Sequence, residues 1–309
     1  MDPQLKILLG VIFLLLGIAS GIGRVLEKRS EKANAVIRNL NARIKAWWVM
    51  CIFFSLAVLI GPKMTLVLFT LMSFLALREF VTLIAPGRGD HRALFWAFFV
   101  ITPLQYYLIG IGWYGLSMIF IPVFGCLWMP IRNALTGETE DYMARTALVQ
   151  WALMICVYFV SHAPALLFLD IPGYAGPNAK LLFFLVIVVQ MSDVLQYVWG
   201  KTLGKHPIAP SLSPGKTIEG FVGGVLSASL VGMAMFRITP FSWWQAGLFS
   251  LLICIMGFFG GLVMSAIKRD RGVKDFGSFI EGHGGMLDRI DSIIFSAPLF
   301  FHLVRFYFS

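Results

Sequence analysis

AGLFSLLICIMGFFGGLVMSAIKRDRGVKDFGSFIEGHGGMLDRIDS, residues 246–292, sets an apolar run of spanning length directly against a charged, glycine-rich turn. Residues 246–267 are apolar enough to cross a hydrocarbon core, which takes about 20 helical residues. Between 265 and 292, ten of 28 residues carry formal charge, against 13% for the whole chain. Another apolar run, 291–308, follows at once. Charges of both signs between two such runs belong at a membrane boundary.

Working outward, further apolar stretches read at 7–22, 47–61, 64–86, 93–110, 113–131, 147–169, 179–199 and 218–236, which makes about ten transmembrane helices. The chain has 309 residues, 58% of them hydrophobic, with 28 Phe and 9 Trp, and its mean hydropathy is +0.81. Soluble domains are about 45–50% apolar and about 25% charged. The fold class is therefore all-α, a polytopic integral membrane protein. The first stretch resembles a signal peptide but lacks a small-residue cleavage site, so it reads as a retained anchor. Two regions are expected: N-terminal membrane helices over 1–180, and a C-terminal catalytic membrane region over 181–309.

Basic residues set the orientation. Loops 24–45, 87–92, 132–145, 200–217 and 268–290 hold 19 of the 25 Lys and Arg residues. With ten spans these loops share one face, and basic loops stay cytoplasmic. The net charge of +9 also suits membrane lipids with anionic headgroups and anionic substrates. No nucleic acid is expected, because nothing interleaves the basic residues in the manner of a nucleic-acid site. A homo-oligomer is compatible with the sequence, which specifies no order. Segment 24–45, with Val, Ala, Ile and Leu among its charges, reads as an amphipathic helix on the cytoplasmic surface or as a solvated, topology-setting loop. The four cysteines lie inside apolar stretches without metal spacing and read as packing residues. Arg78 and Glu79 interrupt the third stretch, where ionisable residues are functional candidates, although an arginine can snorkel to the face.

Candidate chemistry gathers in the last third. Asp193 interrupts the seventh stretch, costly unless paired, metal-bound or facing water. Beyond Gly200-Lys201, where the helix is expected to end, Pro207, Pro210 and Pro214 forbid regular helix. Ser213-Pro214-Gly215-Lys216-Thr217 then leads into Glu219. A lysine and a hydroxyl at a helix mouth suit a phosphate, and a plain N-cap by Thr217 or Ser213 is the alternative. Ser265, Lys268 and Arg269 share one helix face. Lys274 and Asp275 follow, then Gly282-His283-Gly284-Gly285, then Asp288, Arg289 and Asp291. Such carboxylates suit Mg²⁺, which takes one or two and fills its shell with water and phosphate oxygens. Cations suit phosphates. His283 is an acid–base candidate or an orienting residue of the turn.

These residues resemble a family pattern. Ser265-x-x-Lys268-Arg269-x4-Lys274-Asp275-x-Gly277-x-x-Ile280, then His283-Gly284-Gly285-x-x-Asp288-Arg289-x-Asp291, is similar to the signature of phosphatidate cytidylyltransferases. Asp193 and Ser213-Pro214-x-Lys216-Thr217-x-Glu219-Gly220 resemble a second block of that family, so the likeness spans roughly 190–292. It implies transfer of a cytidylyl group from CTP to phosphatidic acid or a related lipid phosphate, giving CDP-diacylglycerol and pyrophosphate, with Mg²⁺ as cofactor. In that scheme Asp275, Asp288 and Asp291 hold metal. Lys268, Arg269 and Lys274 balance phosphate charge, and Ser265 hydrogen-bonds a phosphate. Lys216 and Thr217, with Ser213, Glu219, Asp193 and Arg289, bind substrate. The pattern departs in three places: Gly261 stands where the family has an aspartate, Glu281 where it has proline, and Gln196 where it has alanine. Glu281 is therefore expected to supply the carboxylate that position 261 lacks. Two alternatives stay open: a CTP-dependent enzyme acting on another lipid phosphate or a polyprenol, and an inactive lipid-binding homologue.

Overall fold

The computed structural model describes residues 2–29, 35–84, 91–277 and 284–309. Among them, ten helical spans are long and apolar enough to cross a membrane: α1 (Pro3–Glu27), α2 (Leu40–Ile60), α3 (Pro62–Leu83), α4 (His91–Gly110), α5 (Tyr114–Ala134), α6 (Tyr142–Phe168), α7 (Ala179–Leu203), α8 (Ile218–Ile238), α9 (Trp243–Asp270) and α10 (Leu287–Phe308). They coincide with the ten apolar stretches. The chain is an all-α, multi-pass membrane protein.

The boundaries differ from the apolar runs for a physical reason. Helices outrun their greasy cores because extending one adds a hydrogen bond per residue, whereas a fresh nucleus is costly. Thus α7 continues past Gly200-Lys201 to Leu203, and the Gly204 amide still donates to Gly200 O at 3.1 Å. The described residues of segment 24–45 likewise continue the spanning helices. The first helix continues to Arg29 and the second begins at Ala35, with Asn41 Nδ2 donating to Glu27 Oε2 across the pair at 2.9 Å. Wider π-turns interrupt α4 at Ala97–Ile101 and α5 at Phe120–Gly125. Pro103 follows the first and Pro122 lies inside the second, consistent with the donor each proline removes.

Envelopment distinguishes centre from rim. The apolar window of α6 is 72% buried within the protein, and that of α1 only 11%. The last four spans pack closely through small residues. A Cβ at Gly224 would lie 2.5 Å from the Gln196 amide nitrogen on α7, and one at Gly260 3.0 Å from Asp291 O on α10. In lipid, where apolar burial does not drive helices together, such close backbone approach supplies the packing. It brings the polar ends of α7, α9 and α10 to one place. Between α7 and α8 a two-stranded antiparallel hairpin forms, β1 (Pro207–Ala209) and β2 (Ser213–Thr217), the one sheet among the described residues. Regular helix is absent from 204–217, as its prolines require. All four cysteines are free.

Candidate active site

The hairpin hangs from α8. Thr217 is the helix N-cap, its Oγ1 accepting from the Gly220 amide at 3.1 Å. Glu219 Oε2 accepts from the Lys205 amide at 3.0 Å, and Oε1 pairs with His206 Nδ1 at 2.5 Å. Both side chains therefore fasten the loop, and the N-cap alternative for Thr217 is realised. Held in this way, β2 directs Lys216 inward. Its ammonium stands 4.9 Å from the Phe258 ring centroid on α9, a cation–π distance. Burial lowers its pKa below the ordinary lysine value, against the opposing pull of Asp291 and then Asp193.

Those two carboxylates face the same space from α7 and α10. Ser292 links them: its Oγ donates to Asp193 Oδ1 at 3.2 Å and its amide to Asp291 Oδ1 at 2.8 Å. Among the described residues no hydrogen bond engages the second oxygen of either. Asp193 remains accessible from outside and Asp291 partly so. Position 261 lies against this cluster. A Cβ there would be 2.7 Å from Lys216 Nζ, so the glycine leaves room for the ammonium where a side chain would displace it.

Asp288 behaves differently. Its side chain is 4% exposed, and Oδ1 accepts from Lys268 Nζ at 2.9 Å. Oδ2 accepts from the Phe276 amide at 2.8 Å and the Gly285 amide at 3.0 Å. This carboxylate closes the turn that leads into α10. Asp275 is adjacent and exposed: a Cβ at Gly284, whose φ is +81°, would lie 3.4 Å from Asp275 Cβ and 2.8 Å from Asp288 Oδ2. Only glycine fits there comfortably.

The remaining candidates divide. Ser265 Oγ donates back to Gly261 O at 2.7 Å, within its own helix. Arg269 ties the hairpin to the charged turn, donating to Leu212 O and Val273 O, each at 3.3 Å. Lys274 is exposed, and Ser213 is half-buried in β2. Arg289 is half-buried beside the acidic pair, and among the described residues its Nε has no hydrogen-bond partner. Glu281 and His283 lie outside the described residues, so the compensation expected of Glu281 does too. Among the described residues no three His, Cys, Asp or Glu side chains form a metal-holding group. Two carboxylates with uncommitted oxygens nevertheless satisfy what Mg²⁺ needs from a protein.

Two contributors lie outside the family pattern. Glu79 reaches from α3 to the start of α10, accepting from the Met286 amide at 2.8 Å and the Leu287 amide at 2.9 Å. It is an N-cap supplied by another helix, placing negative charge at the positive end of the helix dipole. An ionisable residue inside an apolar stretch was the signal available for it. Ser292, the bridge between Asp193 and Asp291, gave no signal of its own.

The comparisons extend beyond the motif-bearing third. Escherichia coli K12 has a relative named as the uncharacterized protein YnbB, 41% identical over 300 residues, 96% of this chain and 97% of that protein. A phosphatidate cytidylyltransferase of Staphylococcus saprophyticus is 40% identical over 120 residues, 38% of this chain and 46% of the enzyme. One from Staphylococcus epidermidis is 42% identical over 122 residues, 39% of this chain and 47% of the enzyme. The model of the cytidylyltransferase family matches residues 41–307, so the basic hairpin, the paired aspartates and the capped charged turn lie in a chain that belongs to the cytidylyltransferase family, a group of nucleotidyltransferases.

Proposed function

We propose that this protein transfers the cytidylyl group of CTP to phosphatidic acid, in phospholipid biosynthesis, at the cytoplasmic face of its membrane. The observation that carries the proposal is the accessible cluster of Asp193, Asp291 and Lys216 beside Lys268, at the boundary where α7, α9 and α10 meet polar loops. The phosphatidate acceptor is supported by the Staphylococcus relatives, over part of their length.

The chemistry suits the residues. A lipid phosphate oxygen is already anionic, so its attack on the α-phosphorus of CTP needs no strong base. The α–β phosphoanhydride bond breaks and pyrophosphate leaves. What must be overcome is the approach of two anions, and positioned cations are the means. Asp193 and Asp291 would hold Mg²⁺, which when bound neutralises triphosphate charge. Lys216 and Lys268 face the phosphates, while Arg269, Lys274 and Arg289 raise the local positive potential. Asp288 and Glu79 keep the turn in place. Asp275, exposed beside Asp288, remains able to add a metal-bound water contact.

Purified protein in mixed micelles, given radiolabelled CTP, phosphatidic acid and Mg²⁺, is expected to yield labelled CDP-diacylglycerol and pyrophosphate. Asp291→Asn is expected to lose turnover and to bind Mn²⁺ more weakly by electron paramagnetic resonance. Product formed only with another lipid phosphate or a polyprenol would move the acceptor, and turnover unchanged in Asp291→Asn would reject the metal assignment.

A further inference from the structure

Position 261 is glycine in this chain, where the family pattern has an aspartate. Gly257 and Gly260 of α9 lie in the seam with α10: a Cβ at Gly257 would meet Ser296 Oγ at 3.1 Å, and one at Gly260 would meet Asp291 O at 3.0 Å. At Gly261 the neighbour is different. A Cβ there would lie 2.7 Å from Lys216 Nζ and 3.9 Å from Ser292 Oγ, the hydroxyl that reaches Asp193. Where a third carboxylate would begin beside Asp193 and Asp291, this chain sets an ammonium.

That ammonium keeps its donors. Among the described residues Lys216 makes no hydrogen bond or ion pair, and it rests over the Phe258 ring. Lys268, the other lysine at the site, is committed: it donates to Asp288 at 2.9 Å and lies 5.3 Å from the centroid of Phe276, which stacks on Phe80 at 6.4 Å. Asp193 and Asp291 offer one uncommitted oxygen each among the described residues. Two such carboxylates suffice for one Mg²⁺, whose shell is completed by water and phosphate oxygens. A second divalent ion beside the first would meet the Lys216 ammonium where it needs another carboxylate.

We propose that the site takes a single divalent ion, on Asp193 and Asp291, and that the Lys216 ammonium, in the room Gly261 opens, serves as the second cation facing the triphosphate. The inference rests on the cytidylyl-transfer reading above and fixes its ion count. An ammonium is a compact point charge with three donors. It meets phosphate oxygens without ligands of its own, and it is in place before any nucleotide arrives.

The test counts Mn²⁺ on the full-length protein in detergent micelles, without nucleotide, by electron paramagnetic resonance. One ion per chain is expected. Lys216→Met removes a positive charge beside the ion and is expected to tighten Mn²⁺ about tenfold. In equilibrium dialysis the same variant is expected to bind CTP about tenfold more weakly, through loss of a charged donor. Gly261→Asp combined with Lys216→Met puts a carboxylate in place of the ammonium and is expected to bind two ions. No ion or two ions on the unsubstituted chain, Mn²⁺ affinity unchanged or weakened in folded Lys216→Met, or a single ion on the folded double variant would each overturn the inference. Two ions of which Glu281→Gln removes one would assign the missing carboxylate to Glu281 instead. Where a substituted chain does not fold, the count on the unsubstituted chain decides. One Mn²⁺ per chain without pyrophosphate release from CTP by any lipid phosphate would overturn the transferase reading and leave the single-ion site standing.

Discussion

Asp288 and Asp291 sit three residues apart on the same helix yet face different demands. Asp288 spends its carboxylate on an ammonium and two backbone amides, while Asp291 keeps an oxygen uncommitted toward Asp193 and Lys216. Breaking a buried ion pair by removing one partner costs about 3–5 kcal/mol, because the other charge is left unpaired. Asp288→Asn is therefore expected to lower the thermal midpoint in detergent as well as turnover. Adding Lys268→Met should recover part of the midpoint and none of the turnover. A midpoint within error of the unsubstituted protein would show that the pair does not hold the turn. Much of this site was visible in the residues: acids, cations and glycines at a membrane boundary, matching a spacing pattern. Their division of labour was not, since backbone amides choose a carboxylate by geometry.

At the scale of elements, α10 is anchored at its start by a residue about two hundred positions earlier. Glu79 takes the place of a local cap, for Met286 has no side-chain cap of its own. Losing an N-cap costs about 1 kcal/mol, but misplacing the first turn of α10 shifts Asp288 and Asp291 as well, and such displacements cost up to about a hundredfold in rate. Glu79→Gln is expected to cut kcat far more than its loss of stability accounts for, with KM for CTP little changed. A fall in stability with kcat intact would reduce Glu79 to a fastening. The hairpin teaches a related lesson. Its prolines declared that no helix would form, but whether 207–217 loops freely or pairs depends on Glu219 reaching back to Lys205 and His206, which is a contact between distant residues.

For the whole molecule, orientation is the property that the proposed reaction needs most, because CTP arrives from water on one side. Single cysteines introduced at Lys205 and Lys274, on a background whose own four cysteines are replaced, are expected to react with an impermeant maleimide only when the cytoplasmic face is exposed. Labelling from the opposite side would reverse the placement of the site.

Sequence alone determined that the chain crosses a membrane about ten times and where its candidate site residues gather along the chain. Those follow from hydrocarbon thickness, from the cost of bare backbone in lipid and from the rarity of charge there. Tertiary structure decided which groups meet: Lys216 over Gly261, Ser292 between two aspartates, Glu79 on another helix, Phe80 against Phe276. Those meetings depend on how closely glycine seams let α7, α8, α9 and α10 approach, and a hydropathy pattern carries no measure of the distance between helices.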